Sequence, residues 1–199
     1  MVVRANYGRA LTAFALNRAL DTLGKTVLML PWPMSPSSER ILSAPIVKTF
    51  YEYPEFHPLG EQFEYNRQCD TFIVGSDQLW NWWSNRDVGT YYFFLNWVDD
   101  AHKKLAYSTS FSHDLVYYPK EMRLKIGYLL SRFDGISVRE RSGVTVCKRD
   151  FGADAVQTID PVFLCDIDSY VKLASLSKME APSTGYVLAY ILNPTDDKT

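Results

Sequence analysis

The stretch TFIVGSDQLWN, residues 71–81, decides the fold. Thr71 to Val74 form a short apolar run without polar alternation, the pattern of a strand buried on both faces. Gly75 permits a tight turn straight out of that strand. Ser76 or Asp77 can then cap a following helix while directing oxygen atoms outward. A buried strand, a sharp turn and a capped helix make up the repeating unit of parallel α/β sheets.

The same unit recurs on both sides. Upstream, Gly8 to Leu23 place Leu11, Phe14, Ala15, Ala19, Leu20 and Leu23 at three- and four-residue spacings, with Gly24 where a helix takes its left-handed cap. Thr26 to Leu30 (TVLML) then predicts a strand buried on both faces, ended by the proline-rich PWPMSP. Downstream come strand Lys104 to Tyr107 (KLAY), a helix from about Pro119 to Arg132 and strand Gly135 to Val138 (GISV). A helix from about Glu140 to Arg149 follows, closed by Phe151-Gly152, and then strand Ala155 to Ile159 (AVQTI). This alternation predicts a doubly wound parallel sheet of Rossmann-like type.

Beyond Asp160-Pro161 a linker helix is expected from about Ile167 to Leu176, then a polar stretch and a fresh strand, Tyr186 to Leu192 (YVLAYIL). The implied organisation is a domain over residues 1–165, a linker over 166–185 and the opening strand of another domain over 186–199. A lone apolar strand with no sheet to join exposes an adhesive edge. Only Met1 to Ala5 precede the loop at Asn6, so the opening strand of the fold is nearly missing as well. Both ends read as cut.

Composition excludes several classes. With 47% hydrophobic and 22% charged residues, the 199-residue chain can bury a core and is not of disordered composition. A net charge of -2 leaves no basic stripe to neutralise a phosphate backbone, which argues against nucleic acid as a main partner. No apolar run approaches the roughly 20 residues that span a bilayer, and the N-terminus lacks the apolar core of a signal peptide. The expected setting is soluble and cytoplasmic. Cys69, Cys147 and Cys165 include no CxxC pair and read as reduced thiols.

In open α/β sheets, ligands bind beyond the carboxyl ends of the strands. The predicted strand ends carry Gly75-Ser76-Asp77-Gln78, Ser108-Thr109-Ser110, Arg139-Glu140 and Asp160-Pro161, while Asn6-Tyr7-Gly8 precedes the first helix. Together they outline a crevice. Trp80, Trp82 and Trp83 admit two readings, core or lid packing and stacking against sugar rings. Arg139, between a strand and a helix N-terminus, suits a phosphate or carboxylate, or equally a salt bridge to Glu140, Asp160 or another acid. Arg141 reads as a solvated helix residue. Of His57, His102 and His113, only His113 falls near a predicted strand end, and no spacing suggests a metal site. GxGxxG, Walker A and GxSxG strings are absent.

Asn6-Tyr7-Gly8 with its helix, CDTFIVGSDQLWN, LAYSTSF, FDGISVRERSG and TIDPVFL, in this order, resemble the polysaccharide pyruvyl transferase family. The GSDQ-x-WN and SVRE strings are the specific parts. The resemblance implies the N-terminal half of a two-domain GT-B-type transferase. Such an enzyme moves the enolpyruvyl group of phosphoenolpyruvate onto sugar hydroxyls of a surface polysaccharide, forming a pyruvate ketal. Phosphoenolpyruvate is then the donor substrate, and no further cofactor or metal is expected.

On this resemblance Arg139 holds the donor anion, and Asn6, Gly8, Ser76, Asp77, Gln78 and Ser110 occupy loops facing the cleft. Asp77 and His113 are the candidates for proton transfer. A lipid-linked acceptor would place the work at the inner face of the membrane. The chain departs from the family at Arg9 and Ser112, where small residues are usual, and lacks the histidine-glycine motif of the second half, so the piece alone is expected to be inactive. The alternatives are a GT-B glycosyltransferase using a nucleotide sugar and a non-catalytic carbohydrate-binding domain.

Overall fold

The structure, a computed structural model, describes residues 7–30, 62–85, 89–176 and 184–186. The chain divides into two compact units, Met1–Asp166 and Ile167–Thr199. The first holds helix α1 (Tyr7–Thr22), strand β1 (Thr71–Asp77), short helix α2 (Trp82–Asn85) and strand β2 (Lys103–Thr109). It continues with α3 (Lys120–Leu130), β3 (Gly135–Val138), α4 (Arg141–Phe151) and β4 (Val156–Gln157). Helix α5 (Ile167–Ser175) belongs to the second unit.

The strands lie in the order β1-β2-β3-β4, every neighbouring pair parallel. Parallel neighbours need a crossover, and α3 and α4 supply two of them. Ile126, Leu129 and Leu130 on α3, and Val146, Cys147 and Phe151 on α4, fall at helical spacings and are buried. Their helices therefore cover one face of the sheet together with Trp80, Phe94 and Phe111. Helix α1 lies against β1 and against the turn Pro161–Phe163. Gly152 closes α4 at φ 69°, the left-handed cap expected from its position.

Two expectations are corrected. Thr26 to Leu30 do not form a strand: only Leu28 makes a β-bridge, and residues 27–30 are half-buried. They line a groove beside α1 and β1, with Leu28 and Leu30 packed against the core and no continuous ladder. Strand β1 also runs three residues beyond Val74, so GSD belongs to the strand and not to a capped turn. Pairs Gly75–Tyr107 and Asp77–Thr109 keep it in register with β2. Most of the proposed strand Tyr186 to Leu192, and Met1 to Asn6, lie outside the described residues. No described helix is long and apolar enough to cross a membrane.

Candidate functional site

The geometry of the site begins with Gly75. Its φ is 130°, and a Cβ there would fall on the Tyr107 carbonyl oxygen, so the close approach of β1 and β2 requires glycine. The Gly75–Ser76 peptide is cis. Asp77 follows at φ 119°, a region that non-glycine residues rarely occupy and that concentrates at functional sites. Its carbonyl accepts hydrogen bonds from Leu79 N (2.8 Å) and Ser110 N (2.9 Å), and Trp80 N donates back to the Ser110 carbonyl (3.1 Å). The ends of β1 and β2 are thereby tied together.

A bulge separates the β2–β3 register at Ala106 and Thr109. The Ser137 hydroxyl fills it, accepting from Ser108 N (2.9 Å) and Thr158 Oγ1 (2.9 Å) and donating to the Ala106 carbonyl (3.1 Å). Bulges next to binding sites redirect side chains. Here the chain resumes at Thr109, whose hydroxyl donates to the Val74 carbonyl and whose carbonyl accepts from Arg139 N (3.1 Å). Ser76 and Ser108 occupy neighbouring positions on β1 and β2. Both are buried, and among the described residues neither hydroxyl meets a hydrogen-bond partner.

The β3 and β4 ends converge on Asp160. Arg139 Nη1 donates to Asp160 Oδ2 (3.3 Å), while Thr12 Oγ1 (3.4 Å) and Val162 N (3.1 Å) donate to Oδ1. Arg139 Nε donates to Glu140 Oε1 (2.9 Å). Burial opposes the charged form of Arg139, but the hydrogen bonds and charges of Glu140 and Asp160 hold its pKa above the ordinary value. Burial and the Asp160 carboxylate also raise the Tyr107 phenol, against a hydrogen bond with Thr158 that lowers it. The cluster is one cation, two carboxylates and a protonated phenol, assembled from α1, β2, β3 and the turn after β4.

Of the residues named from sequence, Arg139 stands in this cluster, paired with both acids proposed as its structural partners. Gly8 lies exposed in the first turn of α1. Ser76, Asp77 and Gln78 are together at the β1 end, and Gln78 is held locally by Asn81 Nδ2 on its Oε1 (3.1 Å) and Asn85 Nδ2 on its carbonyl (2.9 Å). Ser110 is fully buried and its hydroxyl accepts from Ser112 N (2.8 Å). His113 is exposed, edge-on to Tyr117 at 5.4 Å. Asn6 lies outside the described residues.

The sequence reading missed Thr12, Tyr107, Ser137 and Thr158. Alternation could have pointed to Tyr107 as a residue of the face opposite Ala106. Nothing local distinguishes Thr12 from a helix-surface threonine. Beside the site a groove of about 980 Å³ runs between α1, residues 24–30 and β1, with Gly75, Ser76 and Asp77 in its wall. No group of described residues has the makings of a metal site.

A family model described as polysaccharide pyruvyl transferase matches residues 6–195. No curated protein and no solved structure matches the chain.

Proposed function

The chain belongs to the polysaccharide pyruvyl transferase family, and from that premise we propose that its donor is phosphoenolpyruvate and its product a pyruvate ketal on a sugar. The family points to a transferase with sugar substrates. The observation that carries the finer reading is the Arg139–Asp160 cluster where the β3 and β4 ends meet. In the proposed reaction C3 of the donor takes a proton and C2 forms bonds to two sugar oxygens. The C2–O bond to phosphate breaks, and phosphate leaves with the second hydroxyl proton.

Each residue has a task in this scheme. Arg139 holds the donor's phosphate or carboxylate. Glu140, whose side chain is 38% exposed, yields its place to the anion, while Asp160, 17% exposed and held through both oxygens, keeps the guanidinium aimed. Asp77 assists the attacking hydroxyl as a base. A second Rossmann-like half closes the cleft in the GT-B manner, and the remaining catalytic groups come from it.

The test uses the full-length protein, second half included, with phosphoenolpyruvate and a panel of glycans, reading phosphate release and the ketal methyl signal by NMR. Absence of both would overturn the donor. Arg139→Ala should weaken donor binding roughly 10- to 150-fold, the equivalent of losing a charge-assisted pair worth about 1.5–3 kcal/mol. Unchanged donor affinity would remove Arg139 from the site.

A further inference from the structure

We propose that Gln78 holds the carboxylate of the donor through its amide N–H bonds while Arg139 holds the phosphate. The inference deepens the donor reading above and rests on it. It begins from which way the Gln78 amide faces. Trp83 N donates to Asn81 Oδ1 (3.1 Å), and a backbone N–H only donates, so the Asn81 amide has its nitrogen left for Gln78. Asn81 Nδ2 donates to Gln78 Oε1 (3.1 Å). The Gln78 oxygen is therefore taken, and its Nε2 is the atom left to meet a ligand. Asn85 Nδ2 also holds the Gln78 carbonyl (2.9 Å), and Asn81 and Asn85 are both buried, so the bracket is fixed from within the fold. Gln78 itself is half-buried, and among the described residues nothing accepts from its Nε2.

Strand register sets Gln78 and Arg139 in one row. Asp77 pairs with Thr109, and Thr109 with Val138. The next residues along the three strands are Gln78, Ser110 and Arg139. Ser110 N donates to the Asp77 carbonyl (2.9 Å) and Arg139 N to the Thr109 carbonyl (3.1 Å), so backbone bonds stitch the row together. Neighbouring strands lie about 4.8 Å apart, which puts about 10 Å between the outer members of the row. Phosphoenolpyruvate measures roughly 5 Å from a carboxylate oxygen to a phosphate oxygen at ordinary bond lengths. A hydrogen bond of about 2.9 Å at each end extends that to roughly 11 Å. One donor molecule thus has the length to bridge the row.

Charge decides which end goes where. A phosphate monoester carries about -1.5 to -2 charges at neutral pH and belongs on the fixed cation. Glu140 and Asp160 take the Nε and Nη1 of Arg139, and among the described residues its Nη2 has no acceptor. A carboxylate carries a single charge and only accepts hydrogen bonds, which matches an amide locked as a donor. A glutamine turned the other way would present its own oxygen and repel it. With the two anions so placed, C2 lies between them, on the side of the strand end that carries Asp77.

The experiment titrates the full-length protein, second half included, with phosphoenolpyruvate and separately with inorganic phosphate, using calorimetry for affinity and NMR for the Gln78 side-chain NH2 signals. Gln78→Met should weaken phosphoenolpyruvate about tenfold or more, the loss of a hydrogen bond to a charged group. Gln78→Glu keeps the oxygen that Asn81 needs and turns a negative charge outward, so it should weaken phosphoenolpyruvate further. Inorganic phosphate should bind Gln78→Met as it binds wild type, whereas Arg139→Ala should weaken both ligands. The Gln78 NH2 signals should move with phosphoenolpyruvate and stay in place with phosphate. Circular dichroism checks that each variant is folded. Wild-type affinity for phosphoenolpyruvate in both Gln78 variants, or an equal loss of inorganic phosphate in Gln78→Met, would overturn the Gln78 contact and leave the donor reading standing. Failure of the wild-type protein to bind phosphoenolpyruvate would overturn the donor reading and the contact with it.

Discussion

Ser137→Ala removes one oxygen atom from the protein and leaves two buried backbone groups without their bridge. In the folded chain the Ser137 hydroxyl accepts from Ser108 N and donates to the Ala106 carbonyl, joining groups that the β2–β3 bulge has pulled out of register. Ser137 is 6% exposed and Ser108 fully buried, so water does not replace the lost partner. An orphaned buried donor or acceptor costs about 1–3 kcal/mol. The carbonyl's second lone pair relieves part of its share, so the expected loss is about 2–4 kcal/mol. Thr158→Val is the internal control. It removes one of the two donors to Ser137 Oγ, and with it the hydrogen bond to the half-buried Tyr107 phenol, while Ser108 N–H remains, and should cost about 0.5–1.5 kcal/mol. Urea unfolding followed by circular dichroism measures both, and hydrogen exchange at the Ser108 amide supplies the local readout. The reasoning fails if Ser137→Ala costs no more than Thr158→Val, or if the Ser108 amide keeps its protection.

Gly75→Ala should abolish the folded state, since its Cβ meets the Tyr107 carbonyl at φ 130°. Gly152→Ala, in open space at φ 69°, should cost only about 1 kcal/mol; equal melting temperatures for the two would refute this contrast. Burial pushes the Cys147 thiol up to about 12, so Cys147 should be the last of the three thiols to react with a disulfide reagent at pH 8, and should react rapidly only after unfolding. Burial also raises the Tyr92 phenol to about 12 and the Tyr118 phenol further. The folded state therefore binds these protons more tightly than the unfolded chain, whose tyrosines titrate near 10. Their contribution is fully present below about pH 10 and is lost as pH rises through about 12. A melting temperature unchanged from pH 9 to pH 12 would contradict this.

Local physics made much of the fold legible. Strand β3 coincides with GISV because a short apolar run next to a helix start has few other ways to bury itself. Helices α3 and α4 follow from apolar residues at three- and four-residue spacing, and Gly152 marks where α4 stops. Thr26 to Leu30 were misread because a continuous apolar run reports burial but not what does the burying. The same limit applies to GSD, whose turn-forming residues are carried inside a strand by pairing with β2. A turn propensity of that size yields when a neighbouring strand supplies the hydrogen bonds.

The amino-acid order by itself determined the class of fold, the polar character of the strand ends and the family, because each depends on periodicity or on strings of adjacent residues. Only the tertiary structure decided which of those groups meet. Thr12 and Asp160 are 148 positions apart and share a hydrogen bond, and Arg139 reaches Asp160 across 21. Trp80, Trp82 and Trp83 are near neighbours in sequence, yet one is sealed in the core, one is half-buried and one is exposed. Such meetings depend on strand register, and at the β2–β3 bulge that register is set by the Ser137 hydroxyl bonding across to β2.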